Sequence, residues 1–382
     1  MPEQAVVPRP APPATTGPAA RAGGGRQVWR ELGAAGRIRA VYREGDPAAG
    51  VRAGELGAVL ADVDARHSVG TTLAVCVQLA TAVPLLTLSP GPGPAAGALA
   101  AALEGRSVTA LAATDRGSGS DLTALETEVV IEDDQLVLTG TKRWITNATQ
   151  ADQLVVLARH RPGRHFTCFT WVLVPATAPG VSVEPADTDL FAGSGTGHLT
   201  FDRVRLPRTQ LLGRTGRGLA GFAAHIAVER LAGALWGVAL CRRVLAETRD
   251  FLQRRTVADR PLWERDSVQQ RYASCLLAAH QLRALTRELA HRVTDRHDTT
   301  AAALLKSASG TTVPRVLDAC AQLQGAEGFA AGGVQRLRTE AALFGIGGGT
   351  TEVVLSVVAG GAGPLLDGLT ADVPEAGRHD DP

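Results

Sequence analysis

The chain has 382 residues, of which 45% are hydrophobic and 20% are charged, and it carries a net charge of +1. This length is enough for two or three domains around a sizeable core, and the composition is typical of soluble proteins. Because no basic face stands out, the sequence argues against a nucleic-acid or anionic-membrane partner.

The cysteines are scattered along the chain without a CxxC pair: Cys76, Cys168, Cys241, Cys275 and Cys320. An odd number without paired spacing argues against a disulfide framework and against a structural zinc site, so no metal site is predicted. The first 25 residues lack the compact apolar core of a secretory signal. We therefore expect a soluble protein of the reducing cytoplasm.

Helical patterns dominate the first hundred residues after a low-complexity start. Residues 1–25 are rich in Pro, Ala and Gly and are predicted to form a disordered tail. Residues 26–106 are predicted to form a shortened N-terminal helical domain. The apolar stretch from Leu73 to Leu88 is too short and too mixed to span a bilayer, and it is predicted to be a buried helix.

The hydrophobic period changes from helical to two at about Ser107. Several short segments then alternate between apolar and polar residues, separated by polar turns such as Glu132-Asp133-Asp134 and Ala178-Pro179-Gly180. This pattern predicts a central β domain over residues 107–213, which could be a small barrel or a sandwich.

Helical periodicity returns after the β domain and continues to the end. Helices are predicted from Gly216 to about Arg255, Val268 to about Thr294, Thr299 to Leu323, and Arg336 to Phe344. Short loops between long helices favour an antiparallel four-helix bundle, here over residues 214–368, followed by a tail at 369–382. The predicted fold class is therefore α+β and multidomain, with N-terminal helices, a small central β domain and a C-terminal helical bundle.

Three short motifs carry residues suited to binding a polar cofactor. Residues 114–121 (TDRGSGSD) form a Gly/Ser turn whose hydroxyl and N–H groups can hold a polar ligand. Residues 140–147 (GTKRWITN) offer an aromatic face that can stack on a planar heterocycle and a hydroxyl that can donate or accept. Residues 345–352 (GIGGGTTE) are a Gly-rich turn before a helix, which suits an anionic or polar group. Each alone is also compatible with an ordinary turn or a core contact.

Taken with the order of the segments, these motifs resemble the acyl-CoA dehydrogenase family of flavoproteins over about Val108 to Val358. The family has Thr-Glu-Pro-x-Ala-Gly-Ser-Asp, Gly-x-Lys-x-Trp-Ile-Thr-Asn and Tyr-Glu-Gly-Thr at the corresponding places. The chain departs from the first pattern at Asp115 and Arg116, and its first hundred residues match weakly. The resemblance implies an FAD cofactor and a homo-oligomer, either a dimer or a tetramer.

The resemblance also implies roles for the residues of the first two motifs. It implies that Thr114 and Gly119 contact FAD and that Ser120 contacts the pantetheine arm of the substrate. It places Trp144 against the flavin ring and Thr146 near the flavin N5. The second motif is the more specific of the two.

Further cofactor-binding residues are implied in the helical bundle. Arg255 resembles the family Arg that reaches the flavin pyrophosphate of a neighbouring subunit, a task that suits a guanidinium. Gln322 and Gly325 resemble a turn that contacts the same nucleotide across the dimer, and Thr350 and Glu352 match residues near the flavin. The chain departs from the family patterns at Ala258, Asp259, Asp266 and Ala326.

Desaturating a thioester requires a base for the α-proton, and desolvation raises the pKa of a buried carboxylate into a useful range. Most family members place this Glu in the C-terminal turn, where the present chain has Gly348. The isovaleryl-CoA and long-chain branches have a small residue there and use a Glu-Arg pair on the first bundle helix. The resemblance therefore implies Glu229 as the base, Arg230 as its support, and Gly348 as a substrate-facing position. Taken alone, a Glu-Arg pair is ordinarily a solvated helix face, and Glu352 is a rival carboxylate.

The resulting hypothesis is an FAD-dependent α,β-dehydrogenase of an acyl-CoA or acyl-carrier-protein thioester in specialised biosynthesis, with a flavoprotein or other electron acceptor. Two alternatives stay open at this point. One is a flavin-dependent monooxygenase or oxidase on the same fold, which would consume oxygen when given reduced flavin. The other is a non-catalytic relative with a degraded flavin site, which would purify without FAD.

Overall fold

The structure, a computed structural model, describes residues 24–119 and 121–369. The predicted tails, residues 1–25 and 369–382, therefore lie almost wholly outside the described residues. The first described segment is helical. Its helices are α1 (Gly25–Ala34), α2 (Arg37–Ala40), α3 (Ala53–Arg66), α4 (Val69–Val77), α5 (Val83–Leu85) and α6 (Pro94–Leu103). Helix α4 continues into α5 through a π-helical turn, Gln78–Ala82. Pro94 occupies the first turn of α6, where its missing N–H breaks no helical bond.

The central segment forms one connected sheet of eight strands. These are β1 (Thr109–Ala112), β2 (Glu128–Ile131), β3 (Gln135–Ile145), β4 (Gln153–Arg159), β5 (Phe169–Pro175), β6 (Val181–Pro185), β7 (Gly197–Pro207) and β8 (Leu211–Leu212). The path is β6-β7-β3-β2-β4-β5-β8, with β1 paired to β4 off this path. β1 and β2 run parallel to β4, and the other neighbours are antiparallel.

Both faces of this sheet are buried along its centre. On β4, Leu154 and Val156 pack into one hydrophobic cluster, and the intervening Val155 and Leu157 pack into another. This follows from the period of two, which turns successive side chains to opposite faces. The second cluster also contains Leu85 of α5. The sheet is therefore docked against the N-terminal helices.

The last segment is a helical domain with three long helices. These are α7 (Gly218–Arg254), α8 (Asp266–Arg296) and α9 (Thr299–Gln324). A hairpin of β9 (Thr256–Val257) and β10 (Arg260–Pro261) joins α7 to α8. Shorter helices follow: α10 (Val334–Glu340), α11 (Leu343–Ile346), α12 (Thr351–Gly360) and α13 (Ala362–Asp367). The organisation predicted from the sequence, helices followed by a β domain and then helices, is confirmed.

The fourth bundle helix differs from the prediction. In place of one helix from Arg336 to Phe344, the chain forms α10 and α11 with a turn between them. Glu340, at the end of α10, is buried and accepts a hydrogen bond of 2.8 Å from the backbone N–H of Phe191 in the β domain. This contact fixes the end of α10 to the connection between β6 and β7, and the helix ends there.

Within the described residues, three helical stretches are long and apolar enough to cross a membrane by length and composition alone. They are Val69–Leu88, Gly218–Arg254 and Val334–Gly360. The first is 94% buried inside the fold, which confirms the predicted buried helix from Leu73 to Leu88. The third is only 17% buried, so the end of the chain presents an apolar surface.

Candidate active site

Glu229 lies on α7 and lines a cavity of about 50 Å³. Helices α4, α7 and α9 and the Gly-rich turn after α11 enclose this cavity. Its apolar walls are formed by Leu73, Cys76, Val77, Trp236, Leu343 and Phe344. The rings of Trp236 and Phe344 contact each other with centroids 4.8 Å apart. The Glu-Arg pair is thus placed in an apolar cavity and not on a solvated helix face.

The Glu229 carboxylate accepts a hydrogen bond from one hydroxyl group and is influenced by the charges of two cations. Thr81 Oγ1 donates to Glu229 Oε2 at 2.5 Å. Burial raises the pKa of Glu229, whereas the hydrogen bond from Thr81 and the charges of Arg230 and Lys306 act in the opposite direction. Because the effect of burial is the largest, the net pKa is raised. A carboxylate of this kind can accept a proton from a carbon acid near neutral pH.

Gly348 lies directly beside Glu229, although the two residues are far apart in sequence. A Cβ at Gly348 would stand 3.7 Å from Glu229 Oε1 and 3.9 Å from Arg230 Cγ. Arg230 Nε donates to the Gly348 carbonyl at 3.2 Å. The backbone of Gly348 has φ +71°, which favours glycine. The structure therefore brings Glu229, Arg230 and Gly348 together, and the roles given to them stay predictions.

Lys306 is a residue of this cavity that the sequence analysis did not identify. It is buried on α9, and its Nζ donates to the Phe344 carbonyl. Burial, and then the neighbouring Arg230, lower the pKa of Lys306 to about 8. Its position was detectable in principle. The lysine directly follows the apolar run from Ala301 to Leu305 and shares a helical face with buried Ser309.

The GTKRWITN motif forms the end of β3 and presents an aromatic face. Trp144 is 58% exposed and has φ +57°, at a register shift between β3 and β7. Its backbone N–H donates to His198 Nδ1 at 3.1 Å, and the two rings meet edge to face with centroids 5.3 Å apart. Burial and the nearby Arg143 lower the pKa of His198, which suits an accepting, neutral ring.

The same motif is joined to the helix that lines the cavity. Asn147 is buried, and its Nδ2 donates to the carbonyl of Ala74 on α4 at 3.0 Å. Ala74 lies between Leu73 and Cys76, two residues of the cavity wall. The cofactor motif and the cavity are therefore held in a fixed relation through α4.

Residues 114–119 form a loop against the same end of β3. Thr114 Oγ1 donates to the Arg143 carbonyl at 2.9 Å, so Thr114 is a direct neighbour of the Trp144 motif. Gly119 is exposed on this loop. Ser120, predicted to contact the pantetheine arm, lies outside the described residues.

A buried ion pair fixes the loop to the strand. Lys142 Nζ and Asp115 Oδ1 form a salt bridge in which both side chains are almost fully buried. Asp115 Oδ2 also accepts from the backbone N–H groups of Glu126 at 2.6 Å and Thr127 at 2.7 Å. Burial lowers the pKa of Lys142 to about 8 even though Asp115 acts against this shift. The Asp at position 115 is thus a structural anchor.

Arg255, Gln322 and Gly325 are not brought to Glu229 within one chain. Arg255 directly follows α7 and is 26 residues after Glu229. This separation corresponds to about 39 Å along the helix. Gln324 Nε2 donates to Thr248 Oγ1 at 2.8 Å, so the end of α9 lies near the end of α7. These predicted cofactor residues therefore cluster at the opposite end of the bundle.

Thr350 and Glu352 begin α12 after the Gly-rich turn. Thr350 occupies the N-cap position in an extended conformation, and Glu352 is exposed in the first helical turn. Glu352 acts on Lys306 by its charge, which places it on the rim of the cavity region. Among the described residues, no group of three or more His, Cys, Asp and Glu side chains could hold a metal ion.

The residues present fit the ring of a flavin. Trp144 offers an exposed aromatic face, and Thr146 is half-buried beside it. Within residues 24–119 and 121–369, the Thr146 hydroxyl makes no hydrogen bond, so it is free to contact a ligand. The exposed guanidinium of Arg255, at the far end of α7, suits a phosphate group.

Comparisons with known proteins agree with this geometry. The family model described as "Acyl-CoA dehydrogenase, middle domain" matches residues 110–204, and the one described as "Acyl-CoA dehydrogenase, C-terminal domain" matches residues 216–363. Together the two models cover more than half of the chain. These two matches define the chain as a flavoprotein oxidoreductase. The chain belongs to the acyl-CoA dehydrogenase family of FAD-dependent oxidoreductases.

Individual relatives show the same relationship. The chain is 28% identical over 254 residues to cyclohex-1-ene-1-carbonyl-CoA dehydrogenase of Geobacter metallireducens, covering 65% of this chain and 67% of that protein. It is 28% identical over 259 residues to the bovine mitochondrial short-chain specific acyl-CoA dehydrogenase, covering 67% of this chain and 63% of that protein. The match thus spans about two thirds of the length of these curated relatives.

Solved structures show the shared fold. Butyryl-CoA dehydrogenase from Megasphaera elsdenii has a TM-score of 0.81 at 21% identity, covering 88% of this chain and 89% of that one. The FAD complex of PigA has a TM-score of 0.82 at 20% identity, with the same coverage. The fold extends over the N-terminal helices, which the two family models do not match.

Proposed function

We propose that the protein catalyses the α,β-dehydrogenation of an acyl thioester carried on CoA or on a carrier protein. The observation that carries this proposal is the carboxylate of Glu229 in an apolar cavity beside Gly348. FAD, when bound, supplies the acceptor for the hydride that leaves the β-carbon. The chain's own residues bind and orient the substrate and take the α-proton.

Glu229 is the base in this proposal, as in the isovaleryl-CoA and long-chain branches. The supporting geometry is the distance of 3.7 Å between Glu229 Oε1 and the Cβ position at Gly348. Most of the family places its carboxylate at the position of Gly348. A carboxylate from either position would therefore reach the same part of the cavity. Arg230 supports the base by holding the Gly348 carbonyl, and Trp144 and Thr146 would hold the flavin ring.

We expect the cavity to favour a short acyl group. Its volume is about 50 Å³. On the same scale one water molecule needs about 10–15 Å³, so the cavity holds the equivalent of roughly four waters. We expect acyl chains of about four to six carbons to be preferred. The mainly apolar walls favour an aliphatic chain over a polar one.

Gly233 sets the width of this cavity in our proposal. It stands one helical turn after Glu229, and nothing lies within 4 Å of where its Cβ would be. Gly233→Leu is expected to lower kcat/KM for the preferred short acyl-CoA by about 100-fold, because the new side chain fills the acyl site. Steady-state kinetics with chains of increasing length would measure this.

A matched control for this prediction is Gly97→Leu. Gly97 is also helical, with nothing within 4 Å of its Cβ position, but it lies on α6 away from the cavity. Gly97→Leu is expected to leave kcat/KM unchanged. Wild-type kinetics in Gly233→Leu would show that the acyl chain binds elsewhere.

The proposal also includes a homo-oligomeric assembly, an electron acceptor and a cytoplasmic location. Arg255, Gln322 and Gly325 lie at the far end of the bundle, which suits a homo-oligomer in which they serve the site of a second subunit. The exposed apolar side chains Val353, Leu355 and Val357 on α12 offer a surface for such contacts. All five cysteines are free and buried, which supports a reducing, cytoplasmic location. Electrons would pass to a flavoprotein or another acceptor.

The experiment that tests the function begins with the absorbance spectrum of the purified protein. We expect flavin bands at close to one FAD per chain, and reduction of these bands by a short acyl-CoA under anaerobic conditions. Parallel reactions with the same acyl group on CoA and on a carrier protein would identify the carrier. Protein without flavin bands that takes up no FAD would contradict the proposal. Oxygen consumption without formation of an enoyl thioester would favour an oxidase or monooxygenase.

A further inference from the structure

Thr81 lies fully buried where the N-terminal helices meet the bundle. Its hydroxyl donates to Glu229 Oε2 at 2.5 Å, and this bond joins residues 148 positions apart. We propose that Thr81 is a positioning residue that holds one carboxylate oxygen of Glu229 and leaves the other, Oε1, as the proton acceptor. The inference rests on the proposed function, because it concerns the same base.

The two carboxylate oxygens of Glu229 have different surroundings. Oε2 is occupied by the hydroxyl of Thr81. Oε1 is the oxygen that a Cβ at Gly348 would approach to 3.7 Å, and Gly348 is part of the cavity wall. Across the part of the chain that the structure describes, Oε1 accepts no hydrogen bond. An ionised carboxylate only accepts hydrogen bonds, so the oxygen without a donor is the one available to a substrate proton.

The π-helical turn that carries Thr81 is an unusual element. Such turns are rare and occur frequently at functional sites. Pro84 stands two residues after the end of the turn; it lacks an N–H group and crowds the carbonyl four residues earlier, within the turn. A wider turn before the proline relieves this conflict. The π-helical turn therefore has a local cause in the sequence, which is the proline after it.

Two contacts from other elements hold this turn in place. The backbone N–H of Thr109 on β1 donates to Gln78 Oε1 at 3.1 Å. The hydroxyl of Tyr42 donates to the Leu79 carbonyl at 2.8 Å, and both Tyr42 and Gln78 are fully buried. The turn is thus fixed to the sheet and to the N-terminal helices. Because the turn is fixed, the Thr81 hydroxyl has a fixed position beside the Glu229 carboxylate.

The electrostatic effect of Thr81 has a definite sign. The charged and titratable groups around Glu229 are Arg230 on the same helix, Lys306 on α9 and the thiol of Cys76 on α4. Burial raises the pKa of Glu229, and the hydroxyl of Thr81 opposes this rise by stabilising the ionised form. Removing the hydroxyl should raise the pKa further. Since only the ionised base is active, the acid limb of the pH profile should move to higher pH.

The variant Thr81→Val tests the proposal because it removes the hydroxyl and keeps the side-chain volume. We expect kcat to fall by up to about 100-fold as the base loses its fixed orientation. We also expect the acid limb of kcat/KM to move to higher pH, with little change in KM. Thr81→Ser restores the hydroxyl and should recover most of kcat and the wild-type pH profile. If Thr81→Val proves insoluble, Thr81→Ala serves in the same assays.

Thr286→Val is the matched control. Thr286 is also buried in a helix, but among the described residues its hydroxyl donates only to the Leu282 carbonyl of its own helix, α8. Its kinetics and pH profile should be those of the wild type. A Thr81→Ser variant as impaired as Thr81→Val would show that only the methyl packing matters, and would overturn the proposal.

A second readout does not depend on turnover. In protein labelled with 13C at the Glu side-chain carboxyl, the NMR signal absent from Glu229→Gln belongs to Glu229. Its titration midpoint should rise in Thr81→Val and stay unchanged in Thr286→Val. A midpoint unchanged by Thr81→Val would overturn the proposal even in an active enzyme. A raised midpoint in a protein without dehydrogenase activity would support the contact and reject the proposed function alone.

Discussion

Glu229→Gln should reduce the rate of acyl-thioester dehydrogenation by about 10²- to 10⁴-fold, the contribution expected of a positioned general base. Glutamine keeps the size of the side chain but cannot take the α-proton. The bound flavin should be unaffected, because Glu229 lies in the acyl cavity. Anaerobic mixing of the variant with a short acyl-CoA, followed at the flavin absorbance band, would measure the rate.

An exposed carboxylate on the same helix provides the control for this prediction. Glu247 lies on α7 with 52% of its side chain exposed, and Glu247→Gln should retain most of the activity. The pH dependence adds a second criterion. Burial raises the pKa of Glu229, so wild-type kcat/KM should fall as pH drops through a value above the usual range of a Glu. Full activity in Glu229→Gln would remove Glu229 from the mechanism.

Asp115→Ala is expected to lower the free energy of unfolding by about 3–5 kcal/mol, the typical cost of leaving a buried charge without its partner. The side chain of Lys142 is fully buried and would lose its only carboxylate contact among the described residues. Two backbone N–H groups, of Glu126 and Thr127, would also lose their acceptor. Urea unfolding followed by tryptophan fluorescence would measure the change.

A surface ion pair on the same sheet serves as the comparison. Glu128 on β2 pairs with Arg159 on β4, and 57% of the Glu128 side chain is exposed. Glu128→Gln should cost less than about 1 kcal/mol, as exposed pairs generally do. The double variant Asp115→Asn/Lys142→Met should recover part of the loss, because it removes the unpaired charge. Equal, small effects of Asp115→Ala and Glu128→Gln would contradict the structural role of the buried pair.

The periodicity of the hydrophobic residues predicted the order of the helical and β segments, because helices and strands bury their apolar side chains at different spacings. The long helices α7, α8 and α9 were predicted to within a few residues, since their apolar stripes continue to their ends. The bounds of the strands are less evident from the sequence, and β3 runs from Gln135 to Ile145. Gly140, with φ +142°, lets the strand continue through an irregularity that a simple alternation of residues does not reveal.

The candidate site was only partly accessible from the sequence. The roles of Glu229 and Gly348 were implied by the resemblance to the family, whereas their proximity is seen only in the structure, because two residues on different elements share no local pattern. Lys306 left a local signal, a single charge in an apolar helical stripe. Thr81 left none, since a threonine in a buried helix is ordinary and its partner lies 148 positions away. The roles of Arg255, Gln322 and Gly325 stay predictions, because they concern a contact between subunits.

The walls of the cavity around Glu229 come from two separate parts of the chain. Glu229 and the turn beside it belong to the C-terminal helices, whereas Leu73, Cys76 and Val77 belong to α4, which precedes the stretch matched to the family. Substitutions of these three side chains would therefore be expected to change the size and polarity of the cavity while keeping the Glu229 carboxylate. The backbone of α4 would have to be preserved, because its Ala74 carbonyl accepts the hydrogen bond from Asn147 of the GTKRWITN motif.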